Sequence, residues 1–163
     1  ASHYIGAGGV TINSRDELLV VSERFLRDPN RPRRYKLPGG ALHEGEHLVE
    51  GVVREVLEET GVRTQFEALV CFRHWHGYRY GKSDIYFVCR LRPLDERITI
   101  QEEEIAESRW MPLDEYLGAD GVSDFNKLIV RAARNSTGLA RAHIDGYGDP
   151  ARFEFFMPPP DGG

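Results

Sequence analysis

The sequence predicts an α/β domain, a sheet covered by helices on its faces. Three observations lead there. Short runs rich in β-branched and aromatic residues recur along most of the chain. Two longer stretches place apolar residues at helical spacing, and no internal repeat or composition break divides the chain. Strands mixed with two substantial helices are the pattern of a sheet packed under helices. With 163 residues, 40% of them hydrophobic, the chain suits one domain with one core, residues 1–163.

Each element follows in order. "YIGAGGVTI" and "ELLVVSE" read as strands, and the turn-like "NSRD" joins them as a hairpin or meander. "RFLRDPNRPRRYK" is a basic loop with two prolines, and "LPGGALHEGE" is too rich in glycine to be helical. From about Glu46 the pattern becomes helical. Val49, Val52, Val53 and Val56 fall at i, i+3, i+4 and i+7 in one apolar stripe, and Gly61 ends the helix. Gly51 lies inside it, where glycine costs up to ~1 kcal/mol relative to alanine, and reads as a close helix–sheet contact. Strands at about 65–73 and 83–91 flank an aromatic loop, "HWHGYRYGK". "RITI" and "SRWMPL" read as short strands around the acidic "QEEEIAE", and "PLDEYL" as a turn or two of helix. "DFNKLIVRAAR" is a second amphipathic helix that buries Phe125, Leu128, Ile129 and Ala132. The tail, "RFEFFMPPPDGG", adds an edge strand.

Composition excludes several roles. A formal charge of −5 argues against coating nucleic acid through overall charge, although it admits a single small nucleotide. Cys71 and Cys89 sit in apolar runs without CxxC spacing, so neither a zinc site nor a disulfide framework is expected. A reducing, cytoplasmic location is the expectation. No apolar stretch approaches the roughly 20 residues that span a bilayer, and no signal-peptide pattern opens the sequence. No membrane partner is expected.

The chemistry concentrates in "VVREVLEETGV", residues 52–62. A helix turns about 100° per residue, so Glu55 and Glu59 are neighbours one turn apart and Glu58 lies close to the same face. An acidic i,i+4 pair destabilises a helix by a few tenths of a kcal/mol. A solvated acidic face is one explanation for the cluster. A divalent cation is the other, because Mg²⁺ takes oxygen ligands and bridges carboxylates to phosphates. On that reading the glutamates repel when empty and become stabilising when filled, so Mg²⁺ should raise the melting temperature.

The wider spacing favours the cation. Gly40, Glu46, Arg54-Glu55-Val56, Glu58-Glu59 and Gly61-Val62 match every specified position of GX5EX7REUXEEXGU, with U aliphatic. The chain therefore resembles the Nudix hydrolase superfamily, from about Tyr4 to Arg134. About 138–163 form a C-terminal extension outside the resemblance. "YKLPGG", "GKSDIYFVCRL", "QEEEI" and "RWMPLDEYL" are further similar to the branch that holds the basic-fibroblast-growth-factor antisense protein and its plant relatives, among them ADP-ribose and NADH hydrolases.

The resemblance implies a Nudix fold, a mixed β-sheet sandwiched between α-helices, with the box forming loop–helix–loop. It implies hydrolysis of a diphosphate bond in a nucleoside diphosphate linked to a moiety X, with Mg²⁺ or Mn²⁺ as cofactor. Carried onto these positions, Glu55, Glu58 and Glu59 are the metal ligands, joined by the Gly40 carbonyl. Arg54 orients a glutamate through a charge-assisted hydrogen bond. Glu46 is either structural or a secondary ligand. The general base stays open between Glu55, Glu58 and the loop acids Glu102, Glu103 and Glu104, with Glu103 standing for that loop in the candidate set. The partner is a small nucleotide, and a homodimer is expected.

Substrate contacts are sought in two places. The basic loop holds Arg24, Arg27, Arg31, Arg33, Arg34 and Lys36, and Arg34 and Lys36 lead directly into the box as candidate phosphate contacts. Of Trp75, Tyr78 and Tyr80 in the aromatic loop, Tyr78 and Tyr80 are the candidates to stack on a base, the alternative being packing over the sheet edge. His74 and His76 need no metal role, since the box already explains a metal. Subfamily marks of ADP-ribose and NADH pyrophosphatases are missing, and a tyrosine near 78 or 80 is a mark of dinucleoside polyphosphate hydrolases. The branch resemblance keeps all three substrate classes open. The competing reading is a non-catalytic nucleotide-sensing or protein-binding module on the same fold. Such modules usually lose box glutamates, and this chain keeps all four.

Overall fold

The computed structural model describes residues 3–24, 30 and 34–160, without the side chains of residues 78 and 79. In chain order the elements are β1 (His3–Thr11), β2 (Glu17–Glu23), β3 (Gly39–Ala41), α1 (Leu48–Thr60), β4 (Thr64–Arg79) and β5 (Lys82–Pro93). Then follow β6 (Ile105–Pro112), α2 (Leu113–Gly118), α3 (Asp124–Asn135), β7 (Ala140–Ala142) and β8 (Phe155–Met157). The main sheet has the order β3-β1-β5-β4, with β1 parallel to β5 and the other pairs antiparallel. β2 pairs with β6, and β7 with β8, both antiparallel.

Side-chain alternation explains the layering. Val10 of β1 and Val88 of β5 pack with Ile129, Val130 and Ala133 of α3 and Tyr116 of α2. Ala7 and Cys89, of opposite parity on the same strands, pack with Val52 and Val56 of α1. Successive strand residues face opposite ways, so both faces of the sheet are covered. This is the α/β/α sandwich that the sequence predicts.

Several local expectations are corrected. β1 and β2 form no ladder; only Ile12 and Leu18 bridge beside the turn, where the Asn13 N–H bonds the Glu17 carbonyl at 3.0 Å. β1 is buried on both faces from Ala7 to Thr11 and has both edges taken, by β3 and β5. It is a central strand, not a hairpin arm. The aromatic loop is also strand. β4 and β5 extend through it to a turn at Tyr80–Gly81, whose φ values of +53° and +71° are the positive pair that a two-residue hairpin turn of this kind needs. Residues 97–100, "RITI", form no strand; the Thr99 N–H instead bonds the Thr60 carbonyl at 2.7 Å.

In α3 the buried side is Ile129, Val130 and Ala133, while Phe125 and Leu128 are exposed. The first turn of α3 overhangs the cleft described below, and the Phe125 ring lies 6.0 Å from the Arg73 guanidinium. Gly51 faces the loop after β3 and not the sheet: a Cβ there would fall 2.2 Å from the Leu42 side chain. The edge strand in the tail exists as β8. It is joined to the main sheet through an Leu69–Leu139 bridge next to β7.

Candidate functional site

The acidic cluster is organised by one guanidinium. Arg54 donates from Nε to Glu46 Oε2 at 2.7 Å and from Nη2 to Glu46 Oε1 at 2.9 Å. Its Nη1 donates to Glu55 at 3.1 Å and to Glu58 at 3.0 Å, and Nη2 reaches the Ala41 carbonyl at 3.3 Å. Metal-free, the cluster is therefore not left to repel unopposed, as the sequence suggested; one guanidinium partly offsets three carboxylates. Glu46 is held down to about 2 by its hydrogen bonds to Arg54, helped by the His43 N–H and opposed by burial. Its oxygens are spoken for, which fits the structural of its two readings.

Glu59 is different. It is 6% exposed, and Oε1 accepts from the Gly39 N–H at 2.7 Å. Burial pushes its pKa up to about 7, Glu55 and Glu104 push the same way, and the Gly39 N–H and Lys36 oppose. Glu59 lines a small cavity of about 240 Å³ with Glu23, Glu104 and Ile105. Of the acidic loop, Glu104 thus faces the site. Glu103 and Glu104 are both exposed, and Glu104 rather than Glu103 is in this lining. The loop is pinned to the end of β2: the Arg24 N–H bonds the Glu104 carbonyl at 2.8 Å, and Arg24 Nη1 bonds the Glu102 carbonyl at 2.6 Å. Sequence reasoning missed Glu23, which pairs with Lys36.

Gly40 is fixed by close approach. A Cβ at this position would fall 2.7 Å from the Glu55 carboxyl carbon, and one at Gly39 would fall 2.1 Å from the Ala7 carbonyl oxygen. Among the described residues no three His, Cys, Asp or Glu side chains already converge as a metal cage. Glu55 and Glu58 turn toward Arg54, and Glu59 toward Gly39. The donor chemistry nevertheless suits a hard divalent cation, since carboxylates and a backbone carbonyl offer only oxygen.

β3 also walls a cleft of about 570 Å³, lined by Gly39, Gly40, Ala41, Tyr4, Lys36, Arg73, Trp75, Asp84, Tyr86 and Asn126 among others. Arg73 is its centre. The guanidinium lies 5.1 Å from the Trp75 ring and 5.3 Å from the Tyr86 ring, and Nη2 donates to the buried Asp84 at 2.7 Å. Buried Arg73 Nε has no hydrogen-bond partner among the described residues. Gly8 makes room for this wall, as a Cβ there would overlap the Tyr86 hydroxyl at 1.7 Å. Sequence reasoning passed over Arg73, Asp84 and Tyr86. No local signal marked them: the register that pairs Arg73 with Tyr86 and Trp75 with Asp84, alternate positions on one sheet face, exists only in the folded sheet.

Of the expected substrate contacts, Lys36 lines the cleft. Arg34 is exposed and outside the lining. Tyr80 sits at the hairpin tip, 83% exposed and outside the lining, whereas Trp75 of the same segment is in it, beside Tyr4 and Tyr86. Arg27, Arg31, Arg33 and the Tyr78 side chain lie outside the described residues. His74 and His76 are exposed; His74 approaches His3 at 3.0 Å, and His76 meets the Ser83 hydroxyl at 2.8 Å. Both cysteines are free, and burial pushes the Cys89 thiol up to about 12. No described helix is long and apolar enough to cross a membrane.

The profile of the NUDIX domain family matches residues 2–132. Nudix hydrolase 8 of Arabidopsis thaliana is 45% identical over 117 residues, 72% of this chain and 31% of the plant protein. Nucleoside diphosphate-linked moiety X motif 6 of Homo sapiens is 33% identical over 135 residues, 80% of this chain and 41% of the human protein. The chain thus spans less than half the length of either relative. Among solved structures, the NUDIX domain of Shewanella oneidensis NrtR, complexed with ADP ribose, superposes with a TM-score of 0.64 at 19% identity. That likeness covers 82% of this chain and 88% of the other, and concerns the fold.

Proposed function

The chain belongs to the NUDIX domain family, and on that premise we propose that it hydrolyses a diphosphate bond in a nucleoside diphosphate linked to a second moiety X, with the help of a divalent metal ion. One observation carries the proposal. The acidic face of α1 meets β3 at Gly39 and Gly40, and the same two glycines form part of the cleft wall. A diphosphate laid along them is brought beside Glu55, Glu58 and Glu59.

Glu55, Glu58 and Glu59, with the Gly40 carbonyl, would hold Mg²⁺ or Mn²⁺. When bound, such an ion supplies Lewis acidity and lowers the pKa of water. The chain's own residues do the rest. Arg54 keeps Glu55 and Glu58 ordered and partly offsets their charge, and would yield them to a bound ion. Glu104 shares the small cavity with Glu59, and we assign it, in preference to Glu103, the role of loop acid that takes a proton from water. Lys36 supplies positive charge for the phosphates. Trp75 and Tyr86 offer aromatic faces on which a base can stack. ADP-ribose, NADH and dinucleoside polyphosphates all combine a base, a diphosphate and a second polar half, and they are the proposed substrate class.

The test is a hydrolysis panel with Mg²⁺ and with Mn²⁺. It covers ADP-ribose, NADH, diadenosine polyphosphates, nucleoside triphosphates, CoA and capped RNA, with Glu58→Gln as control. One preferred substrate, cleaved by the wild type and not by the control, is expected. Silence from folded wild type, with nucleotide binding retained, overturns the hydrolase in favour of a nucleotide-sensing module.

A further inference from the structure

We infer that the C-terminal segment of this chain positions the acidic helix: Glu154 caps the start of α1 and thereby sets where Glu55, Glu58 and Glu59 stand. The inference rests on the hydrolase reading above, and it concerns residues outside the family match, which ends at 132.

α1 begins without a cap of its own. The first N–H groups of a helix have no intrahelical acceptor. His47 occupies the N-cap position with extended backbone, φ −74° and ψ 155°, but its side chain makes no capping bond. The donors are met by Glu154 instead. Its Oε1 accepts from the Leu48 N–H at 2.8 Å, and its Oε2 accepts from the Val49 N–H at 3.2 Å. The side chain is 9% exposed, and negative charge at a helix N-terminus is favoured by the helix dipole. Arg141 of β7 approaches Oε2 at 3.5 Å, and His47 Nδ1 lies 4.0 Å from Oε1.

The segment that delivers this carboxylate is itself fixed. β8 pairs with β7, and Leu139, just before β7, exchanges backbone hydrogen bonds of 2.9 and 2.8 Å with Leu69 of β4. His47 Nε2 meets the Pro150 carbonyl at 2.5 Å. Phe156, two residues beyond Glu154, packs against Phe66 with ring centroids 5.6 Å apart and joins the core cluster beneath α1.

The opposite end of α1 is held too. The Gly61 N–H bonds the Leu57 carbonyl at 2.8 Å, and the Thr60 carbonyl accepts from Thr99. With both ends tied, the helix has a set position along its axis. That position matters at Gly40, where even a Cβ would press on the Glu55 carboxylate. Glu154 touches no part of the cleft and is a positioning residue.

The experiment titrates Mn²⁺ by electron paramagnetic resonance and measures kcat and KM on the substrate the panel selects. It compares wild type, Glu154→Ala, Glu154→Gln and the double variant Glu154→Ala/His47→Ser, with folding checked by circular dichroism. Glu154→Ala is expected to weaken Mn²⁺ binding by roughly ten-fold, the low end of what outer positioning groups cost a metal site, and to lower kcat more than it changes KM. Serine at position 47 has the backbone that N-caps take, so the double variant should recover most of the loss. Wild-type Mn²⁺ affinity and kcat in Glu154→Ala, even with a lower melting temperature, overturn the inference and leave the hydrolase reading intact. A double variant as weak as Glu154→Ala also overturns it, by removing capping as the route. Should Glu154→Ala not fold, Glu154→Gln decides: about three-fold weaker Mn²⁺ binding is expected from losing the charge-assisted bonds, and unchanged binding overturns. A wild type that neither binds Mn²⁺ nor turns over any substrate ends both readings together.

Discussion

The two sides of the site are built in opposite ways. On the acidic side, Glu46, Arg54, Glu55 and Glu58 come from one short stretch and satisfy one another at 2.7 to 3.1 Å. On the aromatic side, Arg73 and Trp75 of β4, Asp84 and Tyr86 of β5 and Phe125 of α3 meet only because the sheet register and the helix placement bring them together. The first side is a hydrogen-bonded cluster in which one guanidinium partly offsets three carboxylates without any ligand. The second holds a guanidinium among rings with a buried donor unpaired among the described residues. The difference separates tasks: the local cluster fits bond-breaking chemistry, while the long-range wall fits recognition.

Breaking the acidic side should have the largest effect. Glu58 is 48% exposed and meets Arg54 as a surface pair. Glu58→Gln should cut turnover by at least about 10²-fold while moving the unfolding free energy by no more than about 0.5 kcal/mol. A drop in stability that tracks the drop in rate would place Glu58 in the scaffold. Arg54→Ala strips three carboxylates of their shared cation. In urea unfolding without metal it should cost about 2–3 kcal/mol, somewhat below the cost of breaking a fully buried pair. Mg²⁺ should return part of that loss; an equal loss with and without Mg²⁺ argues against Arg54 as the cation's stand-in.

The same pair has a pH signature. Glu46 titrates near 2 in the fold against 4.5 ordinarily. A lowered carboxylate stabilises the fold fully above its unfolded pKa. That contribution should fade as pH falls from 4.5 through about 2, and Glu46→Gln should flatten this part of the stability profile.

The recognition side should respond more gently. Trp75→Ala should raise KM by about 3- to 10-fold, the worth of one aromatic contact, and leave kcat nearly unchanged in steady-state kinetics. A fall in kcat alone would move Trp75 out of ground-state binding. The smallest effect belongs to the hairpin tip. Tyr80 holds φ +53°, so Tyr80→Gly should raise stability by up to about 1 kcal/mol by relieving left-handed strain, with kinetics unaltered. A KM shift as large as that of Trp75→Ala would restore Tyr80 to the site.

This division also decides what could be read from the sequence. α1, its glycine stop and the acidic face were legible because helical spacing turns sequence neighbours into spatial ones. The basic and aromatic segments were legible only as composition. Trp75 could not be preferred over Tyr80 without knowing that β4 continues to residue 79, because a one-residue turn error flips every side chain to the other face. Phe125 and Leu128 were assigned to the core because periodicity finds an apolar stripe without showing which neighbour it meets. Glu104 could not be separated from Glu103, since their distinction lies in a backbone pinned by Arg24. Glu154 carried no local signal at all, being 106 positions from the group it serves.

The parallel pairing of β1 with β5 has a consequence for how the molecule comes into being. His3 aligns with Ser83 and Thr11 with Leu91, so the centre of the sheet joins segments made 80 residues apart. During synthesis β1 can find β3 early, but its other edge stays bare until β5 emerges. Long-range pairings of this kind slow folding and leave strand edges open to foreign partners meanwhile. The acidic helix therefore exists as sequence long before it rests on a finished sheet, and its first N–H groups wait longer still, until Glu154 is made. Chemistry encoded in a few consecutive residues would then wait on a carboxylate 106 positions downstream of the helix start.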